Sequence, residues 1–482
     1  LKRAPKKRQE IWRRLGIAPR GIDREIVELI HRTSIGVDQD FRNILHQGSR
    51  CALADGWGGS MIATSLQDIM FGTPIPLRAE VNLGVLKEDE VNIIVHGHEP
   101  LLPEMIVLAS RDQELLDLAK KNGASGINIA GICCTANEVL MRHGIPIAGN
   151  FLQQELALTT GAVEAMVVDV QCLMQSLPRI AKCFHTEIFT TSEKAKMPGT
   201  IHFEFHPHSA ETVARDIVKR AVKNYTRRGK TIIPRHRMDL IAGFTHETIN
   251  YMLGGSFRAS YRPLNDNIIN GRIRGVVGIV GCNNPKTPQD FSHLTLTREL
   301  IANDVLVVQT GCAAIACAKA GLLTPEAARF AGAGLAEVCE AVGIPPVLHA
   351  GACVDNSRIL EACSEMVAEG GLGDDVSCLP VAGCAPEWMS EKAIAIGQYF
   401  VATGLLVVFG VSFPITGSQG VSDHLFKEFE NITGGKWAFE PDPIKMARLI
   451  IDHIDKKRKA LGIDKPKERV LYDMEMRREL KF

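Results

Sequence analysis

The stretch GINIAGICCTANE, residues 126–138, decides how this chain reads. An apolar run, 126–130, breaks at Gly131 and delivers two adjacent cysteines, Cys133 and Cys134. A helix-like segment, 135–143, follows and stops at Gly144. The pattern predicts a strand, a tight turn that carries the thiols, and a helix. Thiols placed there sit at the carboxyl end of a strand and the amino end of a helix. Free backbone N–H groups and the helix dipole favour the thiolate at such a place, and thiolate is the form that binds metal.

The same pattern recurs on either side. Residues 91–95 read as a strand ending in His96-Gly97-His98-Glu99-Pro100, followed by one helix over about 103–121 that Asn122-Gly123 closes. Residues 165–170 read as another strand, ending at Gln171-Cys172. Strands alternating with helical crossovers imply a parallel, doubly wound sheet. Ligands of that fold bind beyond the carboxyl ends of the strands. His98 or His96, Cys134 or Cys133, and Cys172 are therefore expected to converge on one edge. From about residue 232 the arrangement repeats, with strands predicted at 239–244, 275–280, 304–310, 346–350, 379–383 and 405–409. Four of them run into Cys282, Cys312, Cys353 and Cys384, and a helix beginning near Glu387 holds Lys392. A Gly/Pro-rich loop, 410–420, follows the last strand, and the charged stretch 455–482 reads as a helix on the outside.

The expected fold is thus α/β: two Rossmann-like, doubly wound parallel-sheet domains, 76–230 and 231–482, preceded by a helical segment, 1–75. At 482 residues the chain is long enough for such a division. Its basic opening, Lys2, Arg3, Lys6, Lys7 and Arg8, reads as a solvated helix face. The glycines of RCALADGWGGSM, 50–61, suggest a turn or close packing around Cys51 and Asp55. Lys+Arg and Asp+Glu balance at 55 each, which gives no reason to expect nucleic acid or an acidic membrane. No apolar run of about 20 residues appears and no signal peptide is visible, so the expected location is the cytoplasm.

The thirteen cysteines are odd in number and irregularly spaced, which argues against a disulfide framework and towards metal or redox chemistry. No paired C-x-x-C spacing suggests structural zinc. Single thiolates from several loops suit an iron–sulfur cluster, and a histidine among them would mark a chemically distinct metal atom. Cys183, Cys317, Cys339, Cys363 and Cys378 read as isolated small hydrophobes. There is no phosphate-binding G-x-x-x-x-G-K-[ST], and Gly332-Ala333-Gly334 reads as close helix packing.

At the predicted strand ends the sequence resembles the catalytic subunit of anaerobic nickel-containing carbon monoxide dehydrogenases. The matching stretches are ALADGWGGSM, HGHEP, GICCTANEVLMRHGIP, VDVQC, GCNN, TGC, GACVDNSR and SEKAIAIG, in family order along nearly the whole chain. The resemblance implies a nickel–iron–sulfur cluster held by one histidine and five cysteines. Carried over motif by motif, His98 and Cys134 would bind the iron outside the cube, Cys172, Cys282 and Cys312 the cube irons, and Cys353 the nickel. His98 is preferred to His96, and Cys134 to Cys133, by motif position, with the Cys133 thiol near the site. Lys392 and Asp55 match the family's acid–base residues, and Ile396 would form an apolar wall over the site. The implied reaction is CO + H2O to CO2, two protons and two electrons, in either direction. A homodimer, a ferredoxin-like electron carrier and, in some members, an acetyl-CoA synthase partner are implied as well. No cysteine precedes Cys51, so the reading is of a chain lacking the family's amino-terminal region with its further 4Fe-4S clusters. A hybrid-cluster hydroxylamine reductase and a non-catalytic iron–sulfur sensor or assembly subunit are the competing readings, and metal analysis with a CO oxidation assay separates the three.

Overall fold

The computed structural model describes residues 1–254, 259–412 and 414–465. The amino-terminal part is helical, at Lys6–Arg14, Ile22–Arg32, Phe41–Ala54 and Met61–Phe71. A π-helical turn, Asp55–Ser60, joins the last two. Glycine is required inside that turn: a Cβ on Gly56 would lie 2.5 Å from the Tyr399 ring, which rests on the backbone there.

Seven strands follow: β1 (Leu77–Val81), β2 (Val91–His96), β3 (Ile127–Ile132), β4 (Ile147–Gly149), β5 (Val163–Val168), β6 (Glu187–Thr190) and β7 (Ile201–His202). Seven more come after residue 230: β8 (Met238–Ala242), β9 (Gly275–Ile279), β10 (Val305–Thr310), β11 (Val347–Gly351), β12 (Val381–Ala385), β13 (Leu406–Phe409) and β14 (Lys436–Phe439). Among the described residues they form one sheet in the order β14-β13-β12-β9-β10-β11-β8-β1-β4-β3-β2-β5-β6-β7.

That order contains the expected doubly wound pattern twice. In β4-β3-β2-β5-β6-β7 the chain starts at β2, steps one way to β4, then restarts at β5 and steps the other way. In β11-β10-β9-β12-β13-β14 it does the same from β9. Each wing therefore has a switch point, β2/β5 and β9/β12, the place where such sheets open a crevice. Strands covered on both faces lose the polar alternation, as in β2 and β5, which are buried at every position and whose polar members Asn92, His96 and Glu164 are hydrogen-bonded.

Between the wings stands the one antiparallel pair among the described residues, β1 with β8, from Leu77 opposite Ala242 to Val81 opposite Met238. It reverses strand direction from wing to wing. Sheet twist of about 20–25° per strand accumulates to roughly 150° over the steps from β9 to β2. That rotation is of the size needed to bring both carboxyl edges back to one side.

Several local expectations are corrected. The helix expected over 103–121 is two helices, Leu101–Ser110 and Gln113–Lys121, because the Asp112 carboxylate accepts the Glu114 and Leu115 N–H groups and starts a second one. Strand β3 runs through Gly131, and the two cysteines open the helix Cys133–His143 instead of lying in a turn. Gly131 marks close packing, since a Cβ there would lie 2.4 Å from the Ala136 Cβ. The helix expected from Glu387 begins at Lys392. Arg8 is not on a solvated face: it is fully buried, paired with Asp375 and bonded to the Thr433 carbonyl. Cys183 is exposed and Cys378 half-buried, so neither is a core hydrophobe. The stretch 455–460 completes the helix Pro443–Ala460, which buries Ile450, Ile451 and Ile454, while 466–482 lies outside the described residues. Within the loop expected over 410–420, residue 413 lies outside them too, and Gln419 already begins the helix Gln419–Asp423.

The amino-terminal helices pack on the helix Lys392–Ala402. Trp12 donates its indole N–H to the Ala402 carbonyl at 2.8 Å, and Trp57 donates to Thr403 Oγ1 at 3.0 Å. Both indoles are almost wholly buried, so the far end of the helix that carries Lys392 is held firmly. No helix among the described residues is long and apolar enough to cross a membrane.

Candidate metal centre

Six strand ends supply the candidate ligands: β2 leads to His98, β3 to Cys134, β5 to Cys172, β9 to Cys282, β10 to Cys312 and β11 to Cys353. The segment after β12 supplies Lys392. At every one of the six the backbone turns into the left-handed region just before or at the ligand: Gly97, Cys133, Gln171 and Cys172, Gly281, Gly311 and Gly351 all have positive φ. This turn takes the chain off the end of each strand and points the next side chain across the edge of the sheet.

The side chains meet. Cys172 Sγ is 3.8 Å from His98 Nε2 and 3.9 Å from Lys392 Nζ, and Lys392 Nζ touches His98 Nε2. Cys133 Sγ is 3.8 Å from Cys312 Sγ, and the Cys353 N–H donates to Cys134 Sγ at 3.4 Å. Cys172 also exchanges hydrogen bonds with Cys133 and with Cys282. Cys133, Cys172 and Cys134 come from the first wing, and Cys282, Cys312 and Cys353 from the second. The contacts therefore cross from wing to wing, and His98, Cys172, Cys282 and Lys392 all belong to the two switch points.

His98 and His96 are now distinguishable. His96 is fully buried under the site, with Nδ1 3.4 Å from the Ile132 carbonyl and Nε2 3.0 Å from the Cys172 carbonyl. His98 spends only Nδ1 on the backbone, at the Val170 carbonyl 3.1 Å away. Nδ1–H donating to that carbonyl leaves the Nε2 lone pair facing the thiols, a tautomer assigned from the hydrogen-bond network.

The charges reinforce one another. Hydrogen bonds from Cys133 and Cys282 pull the Cys172 thiol far below its ordinary pKa. Burial opposes a charge on Lys392, yet the sulfurs of Cys353, Cys134, Cys172 and Cys282 outweigh it and raise the ammonium's pKa. Cys133 and Cys353 are pushed up instead, by thiol–thiol hydrogen bonds first and by burial second. One cation thus faces a set of sulfurs in a buried pocket.

Ile396, one turn along from Lys392, packs with Cys134, Ala352 and Cys353 in a small apolar cluster. Asp55 stands apart from the hydrogen-bonded set: its carboxyl accepts from Ser60 Oγ at 3.3 Å and is pushed up by burial. Its field and that of Cys353 both reach the buried Tyr399 hydroxyl. Asp169 escaped the reading of the sequence. It sits among the ligand loops, accepts hydrogen bonds from His98, Val170 and Thr135, and is driven by burial up to about 7. Its place between a strand and Cys172, in VDVQC, was the available signal.

The donor set fits a metal–sulfur group better than a lone ion. Among the described residues no three His, Cys, Asp or Glu side chains are arranged for a single metal ion. The sulfurs here ring a shared space from several directions, as a multi-atom cluster needs. None is in a disulfide, and all five candidates come with contorted backbone that a core cysteine does not require. The contrast within the chain is plain. Cys317, Cys339, Cys363 and Cys384 are buried singly, and burial alone drives Cys363 up to about 12.

Comparison with known proteins gives the same direction. A profile described as the Prismane/CO dehydrogenase family matches residues 1–444. Carbon monoxide dehydrogenase 1 of Methanosarcina mazei is 57% identical over 465 residues, 96% of this chain and 73% of that protein. Carbon monoxide dehydrogenase/acetyl-CoA synthase subunit beta of Moorella thermoacetica is 41% identical over 95% of this chain and 69% of its own length. The solved structure of a nickel-free, as-isolated carbon monoxide dehydrogenase from Thermococcus sp. AM4 superposes with a TM-score of 0.93 at 53% identity, covering 95% of this chain and 72% of that one. Sequence, fold and the convergent thiols agree: this chain belongs to the Prismane/CO dehydrogenase family.

Proposed function

We infer that this chain is an anaerobic carbon monoxide dehydrogenase, an oxidoreductase that interconverts CO and water with CO2, two protons and two electrons. The observation that carries the reading is the meeting of His98, Lys392 and the sulfurs of Cys172, Cys282, Cys312, Cys134 and Cys353 across the two switch points. The dehydrogenase names of its relatives favour neither a hydroxylamine reductase nor a non-catalytic sensor.

In this reading His98 and Cys134 would hold the iron outside the cube, Cys172, Cys282 and Cys312 the cube irons, and Cys353 the nickel. The cluster would supply a soft site for CO, a Lewis acid that makes hydroxide available from water near neutral pH, and storage for electrons. The chain's own residues do the rest. Lys392, kept cationic by the surrounding sulfurs, offers N–H donors where negative charge develops on the oxygens of the product. Ile396 excludes water on the Cys353 side, and it also lines an apolar cavity with Gly397, Ala393 and Phe400, a surface suited to a small apolar gas. Asp55, raised by burial, accepts or releases a proton behind Tyr399.

The same reading divides the chain at about residues 75 and 230, places it in the cytoplasm, and gives it a second copy of itself and a ferredoxin-like electron carrier as partners. The name of the Moorella relative supports an acetyl-CoA synthase as a further one. The test is anaerobic iron and nickel analysis with a dye-coupled CO oxidation assay on the same sample. Nickel and iron with CO-dependent dye reduction support the reading; a metal-loaded protein inert to CO refutes it.

A further inference from the structure

We propose that Asp169 is the positioning residue that holds His98 and Cys134 in register with each other. The proposal rests on the reading of that pair as ligands of one iron. Asp169 stands one residue past β5 and is 1% exposed. Its Oδ1 accepts the backbone N–H of His98 at 2.5 Å and also that of Val170. Its Oδ2 accepts the hydroxyl of Thr135, the neighbour of Cys134, at 2.9 Å.

One carboxylate therefore ties together three strand ends, those of β2, β3 and β5. A fourth bond closes the frame: the Thr135 N–H donates to the Gly97 carbonyl at 2.8 Å. Asp169 reaches the ring of His98 as well as its backbone. It holds the Val170 N–H, and the carbonyl of that same residue receives the His98 Nδ1–H. The residue that fixes the height of the loop thus also fixes the tilt and tautomer of the imidazole. Space has been cleared for this contact. A Cβ on Gly97 would fall 1.8 Å from Asp169 Oδ1, so only glycine lets the carboxylate approach the loop. The Glu99 N–H adds a further donor, so both oxygens of Asp169 are called on to accept, and an asparagine would present an N–H to one side of the frame.

The experiment uses the full chain, prepared anaerobically with iron and nickel supplied. Thr135→Val keeps the shape of the side chain and removes only the bond to Oδ2; Asp169→Asn disturbs the same bond from the other end. Thr135→Ser restores a hydroxyl. Iron and nickel per chain, the electron paramagnetic resonance spectrum and the melting temperature are measured, with His98→Ala and Cys134→Ala alongside. Thr135→Val and Asp169→Asn are expected to weaken metal retention by about tenfold or more and to alter the spectrum, with the melting temperature kept and Thr135→Ser close to the original. Full metal content and an unchanged spectrum in both variants overturn the proposal if His98→Ala and Cys134→Ala lose metal. If those two also keep all their metal, the ligand reading itself falls and this inference with it.

Discussion

The two wings solve the same problem differently. Each must turn its chain sharply at the end of a strand to aim a candidate ligand across the edge of the sheet. The second wing uses glycine each time, Gly281, Gly311 and Gly351, with φ of 106°, 60° and 131°. The first has Gly97 but otherwise uses residues with side chains: Cys133, Gln171 and Cys172, with φ of 63°, 62° and 54°. A non-glycine residue held there costs about 1–2 kcal/mol. The second wing has no such choice at Gly311, where a Cβ would lie 2.9 Å from Cys353 Sγ and 3.9 Å from Cys134 Sγ. In the first wing Gly97 is crowded as well, a Cβ there lying 1.8 Å from Asp169 Oδ1, while Cys133, Gln171 and Cys172 carry side chains in the left-handed region. Crowding demands glycine at Gly97, Gly311 and Gly351; at Gly281, where a Cβ would meet nothing nearer than 3.5 Å, glycine only avoids the strain that Cys133, Gln171 and Cys172 bear.

The largest test of this comparison removes a second-wing ligand. Cys353→Ala should fold normally, since a small buried side chain replaces another, and lose nickel-dependent CO oxidation to below detection. Retained activity would refute the nickel role. Lys392→Met, which removes the cation beside the sulfurs, should lower kcat by about 10²–10³ while iron and nickel stay bound, which steady-state CO oxidation and metal analysis report together.

A third test probes the joint between the wings through pH. His349 on β11 accepts the Gly351 N–H at Nδ1 and donates from Nε2 to Asn137 Oδ1, 3.1 Å away on the helix after β3. Burial lowers its pKa to about 4. The unfolded chain takes up this proton at about pH 6.5 and the folded one does not until about pH 4. Stability is therefore full above about 6.5, falls as pH drops through that window, and levels below it, by about 3 kcal/mol at most. Chemical denaturation at several pH values should show the slope, and His349→Gln should flatten it.

Smaller effects separate crowding from strain. Gly311→Ala puts a methyl against Cys353 Sγ at a left-handed position and should destabilise the protein by about 1–2 kcal/mol with loss of metal. Gln171→Gly relieves strain in the first wing, partly offset by the greater freedom of glycine in the unfolded chain, so the melting temperature should rise by only about 1 °C. A drop of several degrees instead would mean that the Gln171 side chain, not its backbone, matters.

Much of the site was legible because its signals are local. Apolar runs that end in glycine and then cysteine mark strand ends, and parallel strands put all such ends on one edge. Cys282 and Cys312 follow from that rule and Cys353 lies one residue further on, but Cys172 follows Gln171 with no glycine, and Cys384 fits the rule yet is buried singly. The choice between His96 and His98, left open by the residues themselves, turns on which imidazole has both nitrogens facing backbone carbonyls and which keeps one facing the thiols. Arg8 was misjudged because its partner, Asp375, lies 367 residues away.

By itself the sequence determined β2, β3, β5 and β8 to β13, the parallel pairing within each wing and the kind of chemistry the strand ends carry, because these depend on residues a few positions apart; β1, β4, β6, β7 and β14 escaped it. Only the tertiary structure decided how the wings join, through the antiparallel β1–β8 pair, and which carboxylate accepts the His98, Val170 and Thr135 donors. Those outcomes depend on contacts between groups tens to hundreds of residues apart. Burial and hydrogen bonding select them only once the chain has closed on itself.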